Sequence, residues 1–267
     1  MSAALAGRAA ALLGGALAQV RTLPGGDLSE CVLIRLADGR EAVAKSGPAP
    51  RVEAAMLAAI HASGAPAPTV LAVDDTVLVL ERLPDAGAPM PAELGRAVAR
   101  LHAVSGERYG WDADYAFGPV TIANGWSDDW PAFWGERRLL CHAGHVPGPL
   151  MRRLETLAAD LENRLPARPR PALLHGDLWG GNVLSEAGRV TGLIDPASYY
   201  GHVEVDLAML ALFGRPGPGF REAYGAPVPG EAERVALYQL WPALVHLRLF
   251  GAGYRGMVEG LLAAAGV

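Results

Sequence analysis

Residues 173–184 read LLHGDLWGGNVL, which sets an acid, Asp177, and an amide, Asn182, five positions apart between apolar flanks. Leu173 and Leu174 before them and Val183 and Leu184 after them have the character of buried backbone. Gly180 and Gly181 let the chain turn tightly, so that both polar side chains can face one crevice. Phosphoryl transfer needs this pair of residue types. An aspartate takes the proton of the attacking hydroxyl, oxygen ligands hold magnesium on the nucleotide phosphates, and catalytic loops of that chemistry place base and asparagine five apart. A further oxygen donor, Asp195 in GLIDPAS, ends the next apolar run, and it suits magnesium, which prefers carboxylate oxygen. Taken singly, Asp177 could be a helix cap and Asp195 part of an Asp-Pro turn. In this order, each beside an apolar strand, they favour a magnesium–nucleotide site with Asp177 as base and Asn182 and Asp195 as metal ligands.

Such a site needs a cation and a phosphate cover from elsewhere in the chain. Lys45 is the only lysine. It ends the strand pattern EAVAK and precedes a helix pattern with Glu53 in its first turn, so the two can pair and aim the ammonium at the α- and β-phosphates. The cover candidate is LPGGDLSE (23–30), where the backbone at Gly25 and Gly26 could approach phosphate, although no G-x-G-x-x-G pattern is present.

The elements around these residues divide the chain unevenly. The alanine-rich N-terminus reads as a helix through residue 20, since Arg8 and Gly14-Gly15 interrupt any export signal. Residues 29–46 read as a hairpin turning at Asp38-Gly39, 51–63 as a helix, and 65–83 as paired strands turning at Asp74-Asp75. Residues 84–91, PDAGAPMP, read as a linker. Helical patterns follow at 91–104, 127–143, 148–165 and 230–254, interrupted by a hairpin at 181–195 that turns at Glu186–Gly188. The expectation is a nucleotide-binding lobe over 1–83, a linker over 84–91, and a helical catalytic and acceptor-binding lobe over 92–267.

Composition narrows the function classes. The chain has 267 residues, is 51% apolar and 19% charged, and carries a formal charge of −5 without a basic stripe. A folded core is therefore expected, and nucleic-acid binding is not. Two cysteines, Cys31 and Cys141, form no disulfide framework and suit a reducing cytoplasm. No apolar stretch is long enough to span a membrane.

Four strings, NGWSDDWPAFWGERRL (124–139), LLHGDLWGGNVL (173–184), IDPASYYGHVEVDLAML (194–210) and LYQLWPALVHLRLFGAGY (237–254), resemble the fructosamine kinase (ketosamine-3-kinase) family in its order, and the similarity covers nearly the whole chain. The resemblance implies an α+β, two-lobed protein-kinase-like fold, with a small β-rich N-lobe and a larger, mainly helical C-lobe. It implies ATP and Mg2+ as cofactors, and as acceptor the 3-hydroxyl of a small-molecule or protein-bound ketosamine (fructosamine, ribulosamine or erythrulosamine), in protein deglycation repair. Carried over by position, Asp177 would be the base, Asn182 and Asp195 the metal ligands, Lys45 and Glu53 the phosphate-orienting pair, and Glu81, Arg82 and Leu83 the adenine-binding hinge. The cover departs from the family, which often reads Gly-Gly-Gly-Cys there, because Asp27 would bring negative charge toward phosphate.

Trp126, Trp130 and Trp134 fall at i, i+4 and i+8, where Trp130 and Trp134 suit one core-facing helix side and Trp126 an acceptor wall. Trp179, inside the loop, is the second acceptor-pocket candidate. Two other readings stay open: an aminoglycoside or other amino-alcohol phosphotransferase using Asp128, Asp129, Glu204 and Asp206, and a nucleotide-binding pseudokinase. The sequence does not set an oligomeric state.

Overall fold

The computed structural model describes residues 2–23 and 29–267. Its N-terminal part is built on an antiparallel five-stranded sheet in the order β1-β2-β3-β5-β4, formed by β1 (Leu17–Thr22), β2 (Cys31–Leu36), β3 (Glu41–Lys45), β4 (Val70–Val73) and β5 (Leu78–Leu80). Side chains alternate along β2, so Val32, Ile34 and Leu36 face one core with Ala42, Ala44 and Val79. Helix α1 (Ser2–Leu12) closes this core with Leu5, Ala6, Ala9 and Ala10. The N-terminal helix is shorter than its composition predicts. It stops at Leu12, Gly14 takes a left-handed φ of +66°, and residues 17–22 continue as an exposed edge strand. Alanine favours helix strongly enough to hide that boundary.

Helix α2 (Pro50–Ala62) opens with Pro50 in its first turn and buries Glu53, Met56, Leu57 and Ile60 under the sheet. The turn between β4 and β5 is fixed by Asp74, whose Oδ1 accepts from the amides of Thr76 (2.8 Å) and Val77 (2.9 Å).

The rest of the chain is mainly helical. It comprises α3 (Pro91–Ala103), α4 (Trp130–Trp134), α5 (Gly148–Ala158), α6 (Leu161–Arg164), α7 (Glu204–Leu210), α8 (Phe220–Tyr224), α9 (Glu231–Phe250) and α10 (Arg255–Ala264). Three two-stranded ladders sit among them: β6 (Tyr115–Phe117) with β7 (Val120–Ile122), β8 (Ala172–Leu173) with β11 (Tyr200–Gly201), and β9 (Val183–Glu186) with β10 (Arg189–Leu193). The helical pattern at 127–143 divides. Asp129 caps α4 by accepting from Ala132 N (2.8 Å), and a π-helical turn over Gly135–Leu139 follows, carrying Arg138 into the core beneath Tyr199. The pattern at 148–165 also splits, between α5 and α6.

Residues 84–90 form no regular element and α3 takes up Pro91, yet this stretch lies along the β9–β10 hairpin. Ala86 N donates to Ser185 O (2.6 Å) and Met90 N to Gly188 O (2.7 Å). A shared core of Leu57, Leu78, Leu94, Leu173 and Leu193 joins the sheet region to the first helices and strands beyond it. No described helix is long and apolar enough to cross a membrane.

Candidate active site

The turn at 175–177 is set by strand pairing and by one buried acid. β8 delivers His175, Gly176 and Asp177 at its end, paired through Leu173 with Tyr200 of β11. Gly176 has φ +83°, and a Cβ there would lie 2.0 Å from the Ala197 carbonyl oxygen, so glycine is obligatory where the two segments cross. Asp206 of α7 is buried and accepts from His175 N (2.7 Å), Gly176 N (2.9 Å) and His102 Nε2 (3.0 Å). Burial alone would favour its protonated form, but His102 and the turn amides outweigh burial and lower its pKa. His175 braces the turn too: its Nε2 donates to Ile194 O (3.0 Å), and its Nδ1 accepts from Asp177 N (3.3 Å). His102 and Asp206 thus support the turn.

Asn182 is locked to Asp177. Its Nδ2 donates to the Asp177 carbonyl oxygen (2.9 Å) and to Asp177 Oδ2 (3.0 Å), while its own backbone carbonyl accepts from Ile194 N (3.0 Å). The amide nitrogen is therefore committed, which leaves the Asn182 side-chain oxygen for a cation. Burial raises the Asp177 pKa; the Asn182 hydrogen bond opposes this, Asp195 and Asp206 add to it, and the carboxyl is pushed up to about 7. That is a useful range for a group that must accept a proton near neutral pH.

Asp195 follows β10 at φ +55°, a left-handed backbone that is rare for a non-glycine residue and here immediately precedes a proline. Such strain persists only where surrounding contacts impose it. Asp195 Oδ1 accepts from Lys45 Nζ at 2.7 Å, across 150 residues of sequence. Lys45 also donates to Glu53 Oε1 (2.7 Å), and the other Glu53 oxygen accepts from Tyr115 Oη (2.9 Å). Burial works against the ammonium, but Glu53 and Asp195 prevail and push Lys45 up to about 12, so it stays charged. Far from the solvated state usual for a lone lysine, Lys45 is 7% exposed.

These groups line one cleft of about 1170 Å³. Lys45, Glu53, Glu81, Arg82, Leu83, Asp177, Trp179, Asn182 and Asp195 all contribute to its wall. At the hinge candidate, Glu81 N already donates to Thr69 O (2.9 Å), and the Arg82 side chain pairs with Glu41. Leu83 N–H has no hydrogen-bond partner among the described residues, so one donor remains for a ligand. Gly25 and Gly26, and Asp27 beside them, lie outside the described residues.

Trp126 lies apart from these groups. It does not line the cleft; its ring stacks on Tyr200 (6.2 Å between centroids), and its Nε1 donates to Asp112 (3.3 Å). Trp130 and Trp134 are fully buried. The acids considered for a polycationic acceptor are also engaged elsewhere: Asp128 with Arg108, Asp129 as the α4 cap, Glu204 with Arg234, and Asp206 at the turn. None of the four lines the cleft. Sequence reasoning missed Cys31, which sits opposite Lys45 in the β2–β3 register and whose thiol burial pushes up to about 11. It also missed the cleft-facing side of α9, for which Pro242, His246 and Phe250 at spacing four were the available signal.

The donor set fits magnesium. Among the described residues no three His, Cys, Asp or Glu gather into a metal cage, and magnesium needs none, because it takes one or two protein oxygens with phosphate oxygens and water. The free Asn182 oxygen and the second Asp195 oxygen are donors of that kind, on the wall they share with a buried ammonium. The arrangement can bind a metal-complexed polyphosphate and deprotonate a hydroxyl beside it.

The chain matches the family model described as Fructosamine kinase over residues 10–265. It is 36% identical over 184 residues to a Synechocystis protein named "Probable ketoamine kinase", covering 63% of this chain and 60% of that protein. A solved Thermobifida fusca chain with a provisional fructosamine-3-kinase name is 33% identical, covers 98% of both chains and superposes with a TM-score of 0.88. At the level of fold alone, the chain matches a thermostable variant of aminoglycoside phosphotransferase APH(4)-Ia, solved in ternary complex with ADP and hygromycin B. That match has 18% identity, covers 98% of this chain and 94% of that one, and has a TM-score of 0.65. The β-rich N-terminal sheet and mainly helical remainder are the two-lobed, protein-kinase-like architecture of these neighbours.

Proposed function

The chain belongs to the fructosamine kinase family, and on that premise we propose that it is an ATP-dependent kinase acting on the 3-hydroxyl of ketosamines. The observation that carries this reading is the convergence of Asp177 with Asn182, Asp195 and Lys45 on one cleft from three separate segments. ATP lies between an N-terminal lobe (1–83) and a C-terminal lobe (92–267) joined by 84–91, its adenine against Glu81–Leu83 with Leu83 N–H as donor. Lys45, oriented by Glu53, meets the α- and β-phosphates. Asn182 and Asp195 would hold Mg2+, which when bound would neutralise charge on the transferring phosphoryl group.

Asp177 accepts the proton of the sugar hydroxyl as that oxygen attacks the γ-phosphorus. The bond from phosphorus to the β,γ-bridging oxygen breaks, and ADP leaves with that electron pair. Its raised pKa keeps the carboxyl within reach of both protonation states near neutral pH. The product is the ketosamine 3-phosphate. The Synechocystis relative, named for ketoamines, supports the acceptor class, and the absence of the four candidate acids from the cleft weighs against a polycationic aminoglycoside.

The test compares phosphate transfer from magnesium–ATP to a ribulosyl-lysine peptide, a fructosyl-lysine peptide and kanamycin. Transfer to a ketosyl peptide, with the phosphate on the 3-oxygen, is the expected result. Transfer to kanamycin alone, or to none of the three, refutes the proposal.

A further inference from the structure

Beyond Asp177 the cleft changes character. Trp179 meets Phe213 edge-on at 6.1 Å between centroids, Phe213 lies 5.0 Å from the His246 ring, and His246 is flanked by Phe250 (5.4 Å) and Tyr254 (5.0 Å). Every member of this group lines the cleft. Trp179, Phe213 and Phe250 are 39%, 43% and 44% exposed. Three large rings left half-open at the mouth of a cleft form a ready surface for a ligand.

His246, which contacts three of the other rings, brings a hydrogen-bonding group to this cage. His246 Nδ1 lies 2.7 Å from the Pro242 carbonyl oxygen, which can only accept, so Nδ1 carries hydrogen. In the neutral ring Nε2 is then an acceptor, and it has no partner among the described residues. No carboxylate among the described residues lines this end of the cleft; the lining acids belong to the hinge, the linker, α2 and the 177–195 segment.

Aromatic faces around a lone-pair acceptor form a site for an ammonium that carries a hydrogen to donate. A carboxylate would hold any cation, and more strongly a polycation. Rings with neutral acceptors select a single charge attached to apolar carbon. Resting on the ketosamine reading, we propose that the cage of Trp179, Phe213, His246, Phe250 and Tyr254 receives the amine side of the acceptor. The secondary ammonium donates to His246 Nε2, and its alkyl substituent leaves along the exposed rings. An amine carried on a protein lysine suits this exit, because the lysyl methylenes can cross the apolar rim while the sugar stays inside. His246 is then a specificity-determining residue that acts on binding.

The experiment pairs one ketosamine, a ketosyl alkylamine, with the same sugar joined to the same alkyl group through oxygen, which removes the charge and the N–H donor. Both are assayed by turnover, and the oxygen analogue also as a competitive inhibitor of the ketosamine. In His246→Phe, which keeps a ring and removes Nε2, KM for the ketosamine is expected to rise roughly 10- to 100-fold. Its kcat, KM for ATP and the inhibition constant of the oxygen analogue stay within about twofold. Phe213→Leu, which keeps apolar bulk and removes a π face, shifts the same KM in the same direction. Equal losses on the two acceptors, or an unchanged ketosamine KM in both variants, overturn the assignment while leaving the kinase reading intact. No transfer by the wild-type chain to any ketosamine overturns both.

Discussion

Replacing Asp177 with Asn should make the protein more stable and nearly inactive, and the gain in stability should depend on pH. The carboxyl is held at about 7 in the fold against an ordinary value of 3.8. Below 3.8 both the folded and unfolded chains keep the proton, and the shift has no effect on stability. Between 3.8 and 7 the unfolded chain releases it first, so folding grows less favourable as pH rises, and above 7 the penalty is constant. At 1.36 kcal/mol per pKa unit, the wild type is penalised by about 4 kcal/mol at pH 8 and about 2 kcal/mol at pH 5. Asn cannot ionise, and its amide suits the same pocket, so the variant escapes the penalty. These figures are upper bounds, since Asp177 is half-buried and keeps one side open to cleft water. The corresponding rise in Tm is at most about 8–16 °C at pH 8 and about half that at pH 5. The measurement is thermal unfolding of wild type and Asp177→Asn in chelator without nucleotide, at both pH values, alongside turnover of a ketosyl peptide. Turnover should fall at least ~100-fold with ATP binding largely kept. A stability change that is the same at pH 5 and pH 8, or a variant less stable at pH 8, would refute the electrostatic reasoning; unchanged turnover would remove Asp177 as base.

Three further outcomes follow from the geometry. Lys45→Met leaves Glu53 buried without its cation and should cost about 3–5 kcal/mol in chemical denaturation, most of it recovered in the Lys45→Met, Glu53→Gln double variant. Gly176→Ala forces a left-handed alanine, costing about 1–2 kcal/mol from backbone alone, and drives a methyl into the Ala197 carbonyl; loss of soluble folded protein, or of turnover if it folds, is the expected readout. Burial, with Arg248 nearby, lowers His142 to about 3, so between 6.5 and 3 the unfolded chain binds the extra proton and stability falls as pH falls. His142→Phe should therefore remove about 2 kcal/mol of the stability lost between pH 7 and pH 5, as read from denaturation midpoints at the two pH values.

What the sequence made legible was local. Asp177 and Asn182 share one turn, and the glycines and apolar flanks around them are adjacent in the chain. Lys45 at a strand end and Glu53 in the next first turn are eight residues apart, near enough for their pairing to be anticipated. The Lys45–Asp195 contact was not readable from spacing, because it depends on how two distant segments pack. Strand β1 was hidden by alanine and leucine, whose helix propensity gave no warning that tertiary pairing with β2 would prevail. Trp126 precedes α4, which starts only at Trp130, and its contact with Tyr200 depends on a segment distant in the chain that spacing does not reveal. The aromatic side of α9 was passed over for the opposite reason. Its residues look like ordinary core, and only the open cleft in front of them distinguishes it.

Asp206 does for the 175–177 turn what a hinge pin does for a door. Its two oxygens hold the His175 and Gly176 amides and the His102 ring, and His102 Nδ1 accepts from Tyr224 Oη at 2.8 Å. The seat of Asp177 is thereby tied through α7 to α3 and α8. A substitution at Tyr224 leaves every cleft-lining group chemically unaltered, yet it loosens the bolt from which they hang. Damage to this hub would surface first as slow turnover in a protein that still folds.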